Sequence, residues 1–265
     1  MSEAKAPLLA AEDLAIGYPG GPPALQGLSF ALERGETLGI VGESGSGKTT
    51  LIRQIINLPS AGAAITAGRL LFEGRDMAGL SAEEWRRLRG GRIAMIFQNP
   101  GASLNPMTPV ARQFVEAIRN HRDISRSAAR DLAREEIARL RLQDPDAVLA
   151  ARPWQLSGGM KQRVAIAIAL AMNPDLILAD EPTSALDVST QELVMEEFAC
   201  RRRERGTAII IVSHNIGACA RLADRLLVMR GGHVEDFDAT ASILARPPHT
   251  YAGELLAAVP RLRGA

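Results

Sequence analysis

The sequence predicts an α/β fold, on three observations: apolar runs without polar alternation, a strand-rich opening punctuated by glycine, and a middle stretch with helical periodicity. The runs Ile93–Phe97, Leu176–Ala179 and Ala208–Val212 are continuously apolar. That is the pattern of parallel strands covered on both faces by helices.

In chain order, the short apolar segments Leu14–Tyr18, Leu28–Leu32, Thr37–Val41 and Leu70–Phe72 are expected as strands. Residues from roughly 99 to 173 are expected to be mostly helical. There Ala129, Leu132, Ala133, Ile137 and Leu140 recur at helical spacing, and the residues between them are largely charged. Near the end, Leu226–Met229 and His233–Phe237 flank Arg230-Gly231-Gly232, which reads as a hairpin closing the sheet region. No internal repeat and no long low-complexity linker interrupts this order.

Composition narrows the function classes. With 265 residues and 46% hydrophobic side chains, the chain can bury one large core or two modest ones. Its 31 Lys+Arg and 30 Asp+Glu leave a net charge of +1, so no global field favours nucleic acid as the main partner. Cys200 and Cys219 have no metal-ligand spacing and are too few for a disulfide framework, which fits buried thiols in a reducing compartment. The opening Met1-Ser2-Glu3-Ala4-Lys5 lacks the basic-then-apolar pattern of a secretory signal, so a cytosolic location is expected. The longest apolar run, Val164 to Met172, falls short of the roughly 20 residues of a membrane span, so any membrane role must come through partners.

The most informative segment is Gly42-Glu43-Ser44-Gly45-Ser46-Gly47-Lys48-Thr49, which fits G-x-x-x-x-G-K-[ST]. It follows the strand Thr37–Val41 and precedes the helix-like run Thr50-Leu51-Ile52-Arg53-Gln54-Ile55-Ile56. Glycines let the backbone curl so that successive N–H groups face phosphate oxygens, and the helix N-terminus adds a favourable dipole. Lys48 would neutralise the β- and γ-phosphates, and the Thr49 hydroxyl would reach Mg²⁺. The chain is therefore expected to bind and hydrolyse ATP with magnesium.

Two further segments carry chemistry. Leu176-Ile177-Leu178-Ala179-Asp180-Glu181 delivers two carboxylates to the C-terminal end of a strand, the edge where ligands bind in parallel sheets. Alone, two adjacent acids read as a solvated loop. Beside a phosphate loop, Asp180 would hold Mg²⁺ through water and Glu181 would polarise the attacking water. Leu156-Ser157-Gly158-Gly159-Met160-Lys161-Gln162 reads as a helix start capped by Ser157, with two glycines leaving backbone amides open to an anion. By itself that stretch is an ordinary capped helix.

The motifs at 42–49, 156–162 and 176–181, then Ser184-Ala185-Leu186-Asp187 and His214, occur in the order found in ATP-binding cassette (ABC) ATPases. The whole chain resembles that family. The resemblance implies a P-loop NTPase core with a mainly parallel sheet, an N-terminal antiparallel β subdomain and an inserted α-helical subdomain. Residues 1–98 and 174–240 would form the nucleotide-binding core, 99–173 the helical signature subdomain and 241–265 a C-terminal tail. Residues 42–49 correspond to the Walker A loop, with Thr50 next to it, and 176–181 to Walker B. The signature Leu156–Gln162 would close over ATP held by a second subunit in a head-to-tail dimer.

The resemblance also places single residues. Tyr18 matches the aromatic that stacks on adenine, although at a strand end it also reads as a core residue. Gln98 matches the glutamine that approaches Mg²⁺ and the attacking water, and it begins the segment that senses the membrane partner. His214 matches the switch histidine at the γ-phosphate, and Asp187 the loop that communicates across the dimer.

Asn99-Pro100-Gly101-Ala102-Ser103-Leu104-Asn105-Pro106 and the tail from Pro248-His249-Thr250-Tyr251 to Leu255-Leu256-Ala257-Ala258-Val259-Pro260 resemble ATPases that power dipeptide, oligopeptide and nickel or metallophore importers. The tail departs from that pattern at Thr250 and Ala252, and Asn215 stands where aspartate is common. The chain stops at Ala265 without the cysteines that carry an iron–sulfur cluster in longer relatives, so none is expected. The resemblance implies a second ABC ATPase subunit, with a paralogue favoured over an identical copy. It also implies two integral-membrane permeases, an extracytoplasmic solute-binding protein and a place on the cytoplasmic face of the cell membrane. The competing class is an ABC ATPase of another kind, an exporter subunit or a nucleic-acid- or ribosome-associated enzyme.

Overall fold

The computed structural model describes residues 6–60, 62–184 and 186–258. The N-terminal pentapeptide, Ala185 of the Ser184–Asp187 motif and the Val259-Pro260 end of the tail lie outside the described residues. Along the chain run β1 (Leu9–Gly17), β2 (Pro23–Leu32), β3 (Thr37–Gly42), α1 (Lys48–Ile55), β4 (Ala64–Phe72) and β5 (Arg75–Asp76). There follow α2 (Ala82–Leu88), β6 (Ile93–Ile96), α3 (Val110–Arg119), α4 (Arg126–Arg139), α5 (Pro145–Ala150), α6 (Gly158–Ala171), β7 (Leu176–Asp180) and α7 (Val188–Arg205). Last come β8 (Ala208–Ser213), α8 (Ile216–Ala220), β9 (Arg225–Arg230), β10 (His233–Ala239), α9 (Thr240–Leu244) and α10 (Tyr251–Ala257). The described residues fall into two compact units, one within Met1–Ser81 and Ala208–Ala265, the other within Ala82–Thr207.

The first unit holds an antiparallel sheet in the order β2-β1-β4-β5. Leu9 of β1 stands opposite Leu32 and Phe72, and Leu9, Leu14, Leu28 and Leu32 are fully buried. The sequence pattern shows only Leu70–Phe72 of β4 because the preceding half of that strand is largely exposed and carries no apolar face. In the same unit β3 lies between β8 and β9 and parallel to both, and β9 turns back into β10. Every residue of β3 is buried, as are Leu226 to Met229 of β9 and Ala208 to Val212 of β8, so burial on both faces explains the continuous apolar run of β8. Gly39 suits this tight packing, since a Cβ on it would lie 2.5 Å from Leu226 Cδ2 and 3.1 and 3.2 Å from the Cβ atoms of Ala223 and Cys219.

The second unit pairs β6 with β7 in parallel, Ile93 beside Leu176 and Ile96 beside Ala179. Around this pair lie the helices expected from the 3.6-residue periodicity. Ala129, Ala133 and Ile137 of α4 and Val164, Ala167 and Leu170 of α6 have no exposed surface. Beside them Arg201 of α7 is buried with two carboxylates. Its Nε donates to Glu197 Oε1 at 2.8 Å, another nitrogen donates to Asn173 Oδ1 at 3.0 Å, and a third pairs with Glu136. Burial pushes the Glu136 carboxyl upward and the guanidinium opposes it. Removing one partner strands the others in a low-dielectric core. Arg201→Ala is expected to lower the unfolding free energy by about 3–5 kcal/mol, read as a drop in the denaturant midpoint by circular dichroism.

Candidate functional site

In the first unit β3 ends at Gly42 and the phosphate loop begins. Gly42, Gly45 and Gly47 take φ values of +150°, +82° and +99°. Two of them are also pressed against other backbone. A Cβ on Gly42 would lie 2.0 Å from the Met229 carbonyl oxygen, and one on Gly47 would lie 2.7 Å from that of Ala24. The loop turns where Ser46 N–H donates to Glu43 O at 3.2 Å, and Gly47 O accepts from Leu51 N–H at 2.9 Å as α1 begins.

Lys48 is only 7% exposed, yet its ammonium is well satisfied. Nζ donates to Gly42 O and Glu43 O at 2.7 Å each and to Ser46 Oγ at 3.3 Å. The loop thus folds around its own cation and holds positive charge at the N-terminus of α1. Thr49 and Thr50 follow, half-buried, while Glu43 and Ser44 are exposed. A curled glycine backbone, a fixed ammonium and a helix N-terminus suit the phosphates of a nucleotide.

The register of β3 with β8, Val41 beside Ser213, brings His214 to the same end of the strands as the phosphate loop. His214 is exposed there. Asn215 caps α8 by accepting from Ala218 N–H at 3.0 Å, the hydrogen bond an aspartate would also accept, so this departure from the family pattern costs the local structure little. Tyr18 lies one residue beyond β1, half-buried, and its carbonyl accepts from Gly21 N–H at 3.2 Å.

In the second unit β6 and β7 run parallel and release Gln98 and Glu181 at one end. Gln98 Nε2 donates to Glu181 Oε2 at 3.3 Å. Glu181 has φ +47°, a left-handed conformation costly for a residue with a Cβ, so local structure over-determines its direction. Asp180 is 5% exposed at the end of β7. Gln162 of α6 adds a link that its place in the Leu156–Gln162 pattern does not reveal. Its Nε2 donates to Pro182 O at 2.6 Å, tying the helix to the turn after Glu181.

Ser157 caps α6 by accepting from Met160 N–H at 3.3 Å. A Cβ on Gly158 would meet nothing within 4 Å, and one on Gly159 only Leu186 Cδ2 at 3.7 Å. Among the described residues no packing demands glycine at 158. Asp187 caps α7: it accepts from Ser189 Oγ at 2.6 Å, Thr190 N–H at 2.9 Å and Thr190 Oγ1 at 2.8 Å. Those donors, Ser189 foremost, hold its carboxyl well below the usual range. Beside Gln98 the unit also has an open cavity of about 200 Å³, lined by Phe97, Pro100, Ser103, His121 and Ala169 among others.

A model of the ABC transporter family matches residues 25–184. The chain belongs to the ABC transporter family. It is 42% identical over 246 residues to the dipeptide transport ATP-binding protein DppD of Bacillus subtilis (strain 168), covering 92% of this chain and 73% of that one. To the oligopeptide transport ATP-binding protein OppD of the same organism it is 42% identical over 259 residues, 96% of this chain and 72% of the relative. Among solved structures, the ATP-binding cassette MJ0796 in a dimeric post-hydrolysis state bound to ADP and Pi matches with a TM-score of 0.78 and 29% identity. That match covers 88% of this chain and 98% of the other. The ABC ATPase fold expected from the sequence is the fold found, and this ABC chain binds and hydrolyses ATP. Lys48→Ala is expected to cut hydrolysis by about 10²-fold or more, since it removes the only side-chain cation of the loop. The readout is phosphate release, and near-normal turnover would contradict the role of Lys48.

Proposed function

We propose that this chain is the ATP-hydrolysing subunit of an importer for peptides, working with a second ABC ATPase beneath two permeases. The observation that carries this reading is the phosphate loop wrapped around buried Lys48, in a chain 42% identical over nearly its whole length to dipeptide and oligopeptide transport ATP-binding proteins. Both named relatives handle peptides, which favours peptides over nickel or a metallophore as cargo. No described helix is long and apolar enough to cross a membrane, and permease subunits would supply the span.

In this reading Tyr18 stacks on adenine. The amides of Gly42 to Thr50 and the Lys48 ammonium surround the phosphates. Glu181 orients and polarises the attacking water, with Gln98 placed against its carboxylate. His214 meets the γ-phosphate oxygens. Little covalent chemistry is needed from the protein, because phosphoryl transfer depends mainly on positioning and charge stabilisation.

The donors suit Mg²⁺. Among the described residues no cluster of three or more His, Cys, Asp or Glu side chains could cage a metal. Magnesium instead keeps several waters and takes one or two protein oxygens plus substrate phosphates; in this reading Thr49, Gln98 and Asp180 would be the residues that offer such oxygens. When bound, the ion neutralises charge on the β- and γ-phosphate oxygens.

Ser157, Gly158, Gly159 and Asp187 would face the nucleotide of the second subunit. That no described residue would come within 4 Å of a Cβ on Gly158 supports this, because a phosphate from outside the chain would find room there. Closure of the two subunits around ATP would drive the permeases, and hydrolysis would release them. A permease segment would seat in the cavity beside Gln98, so that solute delivered by an extracytoplasmic binding protein never touches this chain. The complex would hold the chain on the cytoplasmic face of the membrane, with no nucleic acid involved.

Glu181→Gln is expected to bind ATP normally, slow hydrolysis by about 10²- to 10⁴-fold, and accumulate an ATP-dependent dimer on size-exclusion chromatography. Unchanged hydrolysis would remove Glu181 from its role. Mild solubilisation of membranes should recover the chain with two multi-span proteins; recovery with nucleic acid alone would overturn the transport reading.

A further inference from the structure

The tail of the first unit ends in contact with the phosphate loop. Tyr251, the first residue of α10, accepts a hydrogen bond through its hydroxyl from Glu43 N–H at 3.1 Å. Its ring lies beneath a cation, with the Arg230 guanidinium carbon 4.7 Å from the ring centroid. Arg230 follows Met229, the residue whose carbonyl oxygen presses on Gly42. The end of β9 therefore meets the loop in two ways, by backbone at Gly42 and through Arg230 and Tyr251 at Glu43.

The seat of Tyr251 is itself rigid. Thr250 caps α10 by accepting from Gly253 N–H at 3.1 Å, and its hydroxyl donates to Pro247 O at 2.7 Å. A Cβ on Gly253 would lie 2.2 Å from Pro247 O, and Ala252 is 2% exposed. Burial raises the Tyr251 phenol above its ordinary range, so the hydroxyl stays protonated and can accept from Glu43 while still donating elsewhere.

We infer that Tyr251 is a positioning residue for the nucleotide: α10 acts as a strap on the phosphate loop, fixing the Glu43 end so that the glycine amides are held ready for phosphate. The inference rests on the reading of residues 42–49 as the phosphate-binding loop. From outside the loop, Met229 and Ala24 approach Gly42 and Gly47; at Glu43 the carbonyl is held within the loop by Lys48 Nζ and Ser46 N–H, and the N–H is held by Tyr251. A loop that fluctuates must be ordered when nucleotide binds, and that ordering lowers affinity. Tyr251 reduces the ordering required. Engagement of the tail then tunes the affinity for ATP without touching the reacting atoms.

The test is calorimetric titration of Mg-ATP into the full chain as wild type, Tyr251→Phe, Arg230→Gln and Lys48→Ala, with thermal unfolding recorded for each. Tyr251→Phe keeps the ring beneath Arg230 and removes the hydroxyl, which is the acceptor for Glu43 N–H. It is expected to weaken ATP binding by about three- to tenfold, the worth of one hydrogen bond, with an unchanged unfolding midpoint and faster hydrogen exchange at the Glu43 amide. In turnover, the KM for ATP should rise by the same factor while kcat holds. Arg230→Gln should shift affinity in the same direction. Wild-type affinity and Glu43 protection in Tyr251→Phe, with Lys48→Ala still deficient in binding, would overturn the strap. Undiminished binding by Lys48→Ala would overturn the phosphate-loop reading and the strap with it.

Discussion

Two close backbone approaches in the first unit set the shape of its glycine-rich loop. The carbonyls of Met229 and Ala24 stand where Gly42 and Gly47 would carry side chains, and both glycines hold positive φ angles. A backbone so confined cannot relax into an ordinary turn. It curls around the Lys48 ammonium, which finds its acceptors in the loop's own carbonyls and hydroxyl. These contacts depend in turn on strand register. β3 pairs Val41 with Val228 and Gly42 with Met229, so a one-residue slip of β9 would move the carbonyl away from Gly42 and open the loop. The buried parallel strands that fix this register therefore bear directly on phosphate chemistry.

The second unit solves a different problem, that of aiming a carboxylate. Glu181 sits just past β7 in a left-handed conformation, and two side chains fix its surroundings: Gln98 on its carboxylate and Gln162 on the next carbonyl. Gln162 lies on α6, the helix that Ser157 caps, so the Leu156–Gln162 segment and the turn after Glu181 are joined by one hydrogen bond. A disturbance at the start of α6 has a short physical route to Glu181. The buried Arg201 cluster with Glu136, Glu197 and Asn173 braces α4 and α7 on the same unit. Its role in the fold is to fix how helices pack, because an ion pair without its partner is costly in a core.

Much of this was legible in the residues. Strands buried on both faces announce themselves as Thr37–Val41, Leu176–Ala179 and Ala208–Val212, and the turn Arg230-Gly231-Gly232 reads as the hairpin it is. The phosphate loop is legible because its chemistry demands glycine, lysine and threonine at fixed spacing. What stayed hidden depends on contacts distant in sequence. The first half of β4 is exposed and shows no apolar face. The partners of Arg201 lie up to 65 positions away, and those of Tyr251 and Glu43 are 208 apart. Arginine and tyrosine on helices look the same in a sequence whether they face solvent or a buried partner. Glycine 42 was readable as a loop residue, yet its neighbour Met229 was not.

The central claim is that crowding at Gly42 and Gly47, as much as residue chemistry, makes the loop a phosphate site. Gly47→Ala tests it most directly, because alanine keeps the composition apolar and small but adds a Cβ 2.7 Å from Ala24 O at φ +99°. Titration of Mg-ATP into this variant, with far-UV circular dichroism confirming the fold, should show affinity reduced at least about tenfold, as expected of backbone strain forced on a binding loop. Wild-type affinity in a folded Gly47→Ala protein would contradict the account.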